Sequence, residues 1–80
     1  MSAPPLRAYA TSGLVLVEVV DALLAFGEPM LTEYPPIRMA PDPLYRAWMR
    51  LRSGGRTFGR LDLSPQFAAE RLLAKLEERR

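Results

Sequence analysis

The sequence predicts an α+β fold: a helix, a three-stranded antiparallel sheet and a second helix, with both helices on one face of the sheet. Three observations predict it: an amphipathic apolar segment from about Thr11 to Phe26, alternating segments on both sides of Gly54-Gly55, and Ser64-Pro65 opening a C-terminal helix. Eighty residues suffice for one small core. We therefore expect a single domain over residues 1–80, with residues 1–5 as a mobile tail.

The first predicted element is a helix from about Thr11 to Phe26, terminated by Gly27. Glu18 and Asp21 are three residues apart and therefore share its polar face. Its apolar face contains Leu16, Val19, Val20, Leu23 and Phe26. The valine-rich first half is also compatible with a strand, because β-branched residues favour sheets. Before it, Leu6 to Tyr9 is interpreted as a short extra strand or an arm.

An edge strand and a hairpin are predicted to form the sheet. Met30 to Met39 is the edge strand, since Pro35 and Pro36 cannot donate hydrogen bonds to a ladder on both sides. The stiff loop Pro41-Asp42-Pro43 then leads into a hairpin from Leu44 to Leu63.

The register of the hairpin follows from its alternating pattern. A two-residue Gly54-Gly55 turn would place charged residues beside the apolar row, so we expect a three-residue loop of Gly54, Gly55 and Arg56. The facing pairs are then Trp48 with Asp62, Arg52 with Phe58, and Arg50 with Arg60. The core face of the hairpin is predicted to contain Tyr45, Ala47, Met49, Leu51, Gly59, Leu61 and Leu63.

The opposite side of the hairpin, here called the outer face, is basic and aromatic and is the candidate binding surface. Its binding residues are predicted to be Arg46, Trp48, Arg50, Arg52, Phe58 and Arg60. The predicted facing of Arg52 and Phe58 allows a cation-π pair. The predicted facing of Arg50 and Arg60 is a like-charge pair, which is unfavourable in isolation and indicates an anionic partner.

The last helix begins with Ser64 as its N-cap and Pro65 in its first turn, and continues from Gln66 to Arg80. Its core stripe is predicted to be Ala68, Ala69, Leu72, Leu73 and Leu76. Phe67 lies outside this stripe, which is compatible with a small partner-binding spot. We prefer the interpretation that Phe67 is covered, either because the first turn of this helix has a different orientation or because Leu6 and Tyr9 fold over the ring. Small proteins rarely leave a phenylalanine side chain exposed.

The composition argues against an enzyme. Histidine and cysteine are absent, which removes the usual general base, disulfides and thiolate metal sites. Glu18 and Asp21 are interpreted as a solvated helix face, and Ser64 as a cap that no histidine can activate. We therefore predict no enzyme activity, no metal and no cofactor. Asparagine is also absent and glutamine occurs once, as in heat-adapted proteins or under codon bias.

The apolar run from Leu14 to Phe26 is too short to span a bilayer and contains two carboxylates. No cationic leader precedes this run. The sequence therefore predicts a cytoplasmic protein without membrane association.

The predicted order of elements resembles that of the double-stranded RNA-binding domain over roughly Val17 to Glu78. The matching features are Gly27-Glu28-Pro29 after the first helix, Glu33-Tyr34 in the first strand, Gly54-Gly55 in the hairpin, and Ser64 opening an alanine-containing helix. The resemblance implies the fold rather than the activity. Where the family has a lysine cluster that binds phosphates, this chain has residues 65–69, PQFAA, and its first interstrand loop is Pro41-Asp42-Pro43.

Three interpretations of the outer face remain open. Tryptophan and arginine are enriched at the centres of protein interfaces, which favours a self-associating or protein-binding module, such as a homodimer. Self-association needs acidic partners for the arginines, from Glu33, Asp62 or the acidic face of the first helix. Aromatic rings among arginines also suit single-stranded RNA or DNA, the alternative function. The third interpretation is a solvated face whose arginine stems cover the rings.

Overall fold

The computed structural model describes residues 5–39 and 41–78, which form a small α+β domain. In chain order the elements are α1 (Leu6–Thr11), α2 (Val17–Leu24), β1 (Gly27–Tyr34), β2 (Leu44–Leu51), β3 (Arg56–Phe58) and α3 (Pro65–Glu78). The sheet is antiparallel with the order β1-β2-β3. Helix α2 contacts β1, α3 contacts β2, and the two helices contact each other over the same face. The predicted fold class is confirmed.

The predicted helix from about Thr11 to Phe26 is present only as the shorter α2, Val17–Leu24. Thr11 ends α1, and α2 begins only at Val17. Gly13 has φ 80°, a left-handed conformation that terminates α1 at low cost because glycine lacks a Cβ. The prediction of a strand or an arm before Thr11 was also wrong, because α1 is helical there and buries Leu6 completely.

The sequence predicted that Gly27 terminates a helix, and this prediction was wrong. Gly27 is the first residue of β1 and faces Leu51. A Cβ at Gly27 would collide with the carbonyl oxygen of Arg50, so the close approach of β2 explains the need for glycine here.

Strand β1 begins three residues earlier than predicted and ends at Tyr34, before the two prolines. It is an edge strand, as predicted. Pro5 forms an isolated antiparallel bridge with Met30, which covers part of the free edge of β1. The rest of the predicted tail lies outside the described residues.

The hairpin has the predicted faces but another register. Trp48 faces Phe58 and Arg50 faces Arg56, whereas the sequence predicted Asp62 and Arg60 at those positions. Strand β3 is thus displaced by four residues, an even number that leaves Phe58 on its predicted face. The turn closes earlier because the Gly54 N–H donates to the Leu51 carbonyl.

A one-residue bulge follows β3. The Gly59 N–H donates to the Ala47 carbonyl, and the next bridge joins Asp62 to Tyr45. Between these two pairs, residues 60 and 61 lie opposite the single residue 46 of β2. The bulge turns Asp62 from the predicted outer face towards α3. Leu61 and Leu63 are exposed, so their assignment to the core was wrong.

Helix α3 begins as predicted, and the Ser64 Oγ accepts a hydrogen bond from the Phe67 N–H at 3.4 Å. The stripe is confirmed, since Leu72 and three other predicted members are buried and Leu73 is half-buried. Among the described residues the core contains Leu6, Val15, Val20, Leu23, Leu31, Ala47, Met49, Ala68, Ala69, Leu72 and Leu76. No helix in residues 5–39 and 41–78 has the length and apolarity needed to cross a bilayer.

Candidate functional site

The outer face consists of rows of side chains that cross the strands, because every second residue of each strand points away from the helices. From the register, the rows are Glu28, Arg50 and Arg56; Met30, Trp48 and Phe58; Thr32 and Arg46; and Tyr34 and Leu44. The central row is apolar and aromatic, and arginines lie on both sides of it. The face therefore combines a stacking surface with positive charge.

The centre of the outer face is a pair of stacked rings. The ring centroids of Trp48 and Phe58 are 5.7 Å apart, with an interplanar angle of 25°. Trp48 is half-buried, and its Nε1–H donates to the Thr32 Oγ1 at 2.9 Å. Phe58 remains 45% exposed. Contacts within the domain therefore fix the indole, while Phe58 leaves aromatic surface open to a ligand.

Two arginines lie over aromatic rings of the same face. The guanidinium carbon of Arg56 is 5.5 Å from the centroid of Trp48, and that of Arg46 is 5.9 Å from the centroid of Tyr34. The Nε of Arg46 is buried without a hydrogen-bond partner. Arg50 faces Arg56, so the predicted like-charge pair exists with a different partner. Glu28 faces Arg50 from β1 and partly offsets this charge.

The structure brings four of the six predicted binding residues together on the outer face: Arg46, Trp48, Arg50 and Phe58. The placement of Arg52 was wrong. Its Nη2 donates to the Leu24 carbonyl at 3.2 Å, at the end of α2 where a cation is favourable. Arg60 lies beyond β3, where it lines a groove beside α3 together with Phe58. Their roles in binding stay predictions.

Arg56 is a member of the outer face that the sequence interpretation missed. It was assigned to the loop, but the turn closes at Gly55, which has φ 82°. Gly54 has φ 96°, so both glycines have the left-handed backbone that such turns require. Two consecutive glycines fit more than one loop position, and the sequence pattern alone did not distinguish them.

Beside the outer face, a groove of about 500 Å³ separates the end of β3 from α3. We call it the β3–α3 groove. It is lined by Phe58, Gly59, Arg60, Arg71, Ala74, Lys75 and Glu78. Phe58 belongs to both surfaces, so the groove continues the outer face around the free edge of β3.

Two of the cations in the β3–α3 groove are held in place by single hydrogen bonds. The Arg71 Nε donates to the Asp62 Oδ2 at 2.6 Å, and the Lys75 Nζ donates to the Phe58 carbonyl at 2.7 Å. The bond from Arg71 lowers the pKa of Asp62, and the backbone N–H groups of Leu63 and Ser64 lower it further. Asp62 is therefore ionised at neutral pH and orients Arg71.

Phe67 is 57% exposed, which contradicts the preferred interpretation that this ring is covered. Leu6 is buried in the core rather than packed over Phe67. The Leu16 N–H donates to the Gln66 Oε1 at 2.8 Å, which places the backbone of Leu16 near the start of α3. Phe67 is therefore an exposed ring on α3 and not a member of the outer face.

The remaining titratable feature is a pair of tyrosines near Glu33. Burial raises the pKa of Tyr9, and the charge of Glu33 raises it further. Burial also raises the pKa of Tyr45, with a hydrogen bond to Glu33 as the second cause. Both phenols are therefore protonated at neutral pH. Within the described ranges, no group of three or more acidic, histidine or cysteine side chains is placed to hold a metal ion.

Comparison of this chain with protein-family models, curated proteins and solved structures finds no match. The resemblance to the double-stranded RNA-binding domain stays a prediction. The order helix, three strands, helix is present from α2 to α3, with α1 in front of it. A function must therefore be argued from the outer face and the groove themselves.

Proposed function

We propose that this protein is a non-enzymatic interaction module that binds single-stranded nucleic acid through its outer face. The observation that carries the proposal is the stacked pair of Trp48 and Phe58 between arginine-bearing rows. Bases stack on aromatic rings irrespective of sequence, and arginines neutralise the phosphates on either side. Arg50 and Arg56 lie on one side of the ring pair and Arg46 on the other. A nucleic-acid strand that crosses the face would therefore meet an arginine on either side of the rings.

The distribution of charge supports an anionic partner more strongly than the net charge of +2 suggests. On the outer face, three arginines accompany one carboxylate, that of Glu28. Glu18 and Asp21 are exposed on α2, which covers the other face of the sheet. Positive charge thus exceeds negative charge on the outer face, and such a surface attracts polyanions.

The second candidate is self-association or protein binding through the same face. Glu28 favours it, because this carboxylate lies in the row of Arg50 and Arg56 and can meet arginines of a second copy. Two acids that the sequence offered as partners for the arginines do not lie on the outer face. Asp62 is bonded to Arg71, and Glu33 is one of the β1 residues whose side chains point to the opposite side of the sheet. Three arginines against one glutamate on each copy make this pairing electrostatically unfavourable, so we place it second.

Binding of a labelled oligothymidylate or oligouridylate about ten nucleotides long, at low and at moderate salt, tests the first candidate. We expect affinity that falls steeply with salt, by a log–log slope of about 0.7 for each phosphate neutralised. Trp48 is the only tryptophan, so a change in its fluorescence reports contact with the outer face. Absence of binding at low salt would reject this function.

A matched pair of variants locates the contact. Arg50→Gln removes a charge from the outer face, whereas Arg7→Gln removes the same charge from the exposed surface of α1. We expect only the first variant to weaken binding and reduce the salt slope.

Light scattering after size exclusion tests the second candidate. Self-association through the outer face requires a dimer that Glu28→Gln weakens, and a monomer at all concentrations would reject it.

A further inference from the structure

The β3–α3 groove has the composition of an oxyanion site. Three cations line it: Arg60 from the chain after β3, and Arg71 and Lys75 from successive turns of α3. One carboxylate, that of Glu78, lies at the same groove. The cations thus come from two separate elements, and they line a cavity of the size that small ligands occupy in proteins.

The two helical cations are oriented and still have donors to offer. Arg71 uses its Nε on Asp62, which leaves its terminal NH₂ groups for another acceptor. Lys75 uses one of its three N–H donors on the Phe58 carbonyl. Because these bonds already fix the side chains, a bound anion costs little further conformational entropy.

Phe58 connects this groove with the outer face. Its ring packs on Trp48 on one side, and the residue also lines the groove. Gly59 lies close to α3, since a Cβ there would be 3.4 Å from the Cα of Leu72. An aromatic surface and a group of cations are therefore adjacent, which is the combination that a nucleotide unit needs.

We propose that the β3–α3 groove binds the phosphate of a nucleotide, with Arg60, Arg71 and Lys75 as phosphate ligands and Phe58 under the attached base. This inference rests on the proposed function and deepens it, since the groove extends the path of the bound nucleic-acid strand around the edge of β3. The carboxylate of Glu78 opposes the phosphate, so its removal strengthens binding.

The test uses uridine 5′-monophosphate and uridine as probes of the whole protein, followed by amide shifts in two-dimensional NMR. We expect the nucleotide to shift the amide signals of Phe58, Gly59 and Arg60, and uridine to shift them at least tenfold less at equal concentration. Arg60→Gln should weaken nucleotide binding several-fold, and Glu78→Gln should strengthen it. Arg7→Gln, at the opposite edge of the sheet, is the matched control.

The outcomes separate this inference from the proposed function. If the oligonucleotide binds and the nucleotide leaves the groove signals unchanged, the groove is not a phosphate site, although the function stands. If the nucleotide shifts those signals and the oligonucleotide does not bind, the phosphate site stands and the function falls. Equal shifts from uridine and its monophosphate, or equal effects of Arg60→Gln and Arg7→Gln, would also overturn the assignment of the phosphate.

Discussion

The ammonium of Lys75 lies 2.7 Å from the carbonyl oxygen of Phe58, on the free edge of β3. Gly55 and Gly59 bond back to β2, so the alternation of the ladder directs the carbonyl of Phe58 away from the sheet. An unpaired edge carbonyl is a site for pairing with another chain. Helix α3 therefore supplies the side chain that blocks this edge.

From this relationship, Lys75→Met is predicted to promote edge-to-edge association. The variant keeps the length of the side chain but loses the donor, which frees the Phe58 carbonyl and removes a charge from the edge. Light scattering at increasing protein concentration should show more association of the variant than of the native protein at the same concentration. Arg7→Met, on exposed α1, is the control for lost charge. A Lys75→Met variant that stays as monomeric as this control would contradict the blocking role.

The two faces of the hairpin were predictable, but its register was not. Alternation alone assigns Trp48 and Phe58 to one side, and a displacement by any even number of residues preserves that assignment. The register depends on which backbone groups close the turn, and the two adjacent glycines do not decide this. The bulge that turns Asp62 towards Arg71 is likewise a product of tertiary packing, because both residues also fit solvent-exposed positions in the pattern.

The start of α3 was predictable from the local sequence. Ser64 and Pro65 have a local mechanism, the cap, which operates within one turn. By contrast, the break between α1 and α2 depends on Gly13, which the periodic pattern from Leu14 onwards concealed. Arg60 was assigned to the outer face alone, because only the packing of α3 beside β3 brings Lys75 to the same groove.

Acid should weaken the domain through Asp62. The hydrogen bond from Arg71 lowers the folded-state pKa of Asp62, so the ionised carboxylate stabilises the fold at pH values above the unfolded-state pKa. As pH falls from the unfolded-state pKa through the folded-state pKa, this contribution is lost. Urea unfolding between about pH 6 and pH 2.5 should show a smaller loss for Asp62→Asn than for the native protein. Asp42→Asn, in the loop before β2, is the control, and an equal change in both variants would contradict the role of Asp62.

Gly27→Ala is predicted to destabilise the domain by about 2 kcal/mol or more, because the new methyl group meets the rigid carbonyl of Arg50. Gly13→Ala is the comparison: it has open space, but its φ of 80° disfavours a side chain by about 1 kcal/mol. Urea denaturation measures both changes in the free energy of unfolding. The prediction fails if Gly27→Ala costs no more than Gly13→Ala.

Thr57→Val is predicted to stabilise the domain by about 1 kcal/mol. Thr57 is only 4% exposed, and its Oγ1 has no hydrogen-bond partner. Replacing the hydroxyl with a methyl group of similar size removes the cost of burying an unpaired polar atom. Thr57→Ser keeps the hydroxyl and loses a methyl group, so it should destabilise by about 1 kcal/mol. Thermal unfolding of the three proteins measures the difference, and a destabilised Thr57→Val variant would mean that the hydroxyl has a partner.

Phe58→Ala should weaken oligonucleotide binding by about 1–3 kcal/mol, the usual contribution of one stacked base. The ring is the most accessible part of the aromatic pair, and its loss leaves the Trp48 Nε1–H bond to Thr32 in place. Phe58→Leu keeps apolar packing against the indole but removes the π surface, so stacking predicts that it binds almost as weakly as Phe58→Ala. Titration of both variants by Trp48 fluorescence, with circular dichroism to verify that they fold, makes the comparison. Native affinity in Phe58→Leu would show that apolar contact, rather than stacking on a base, is what the outer face provides.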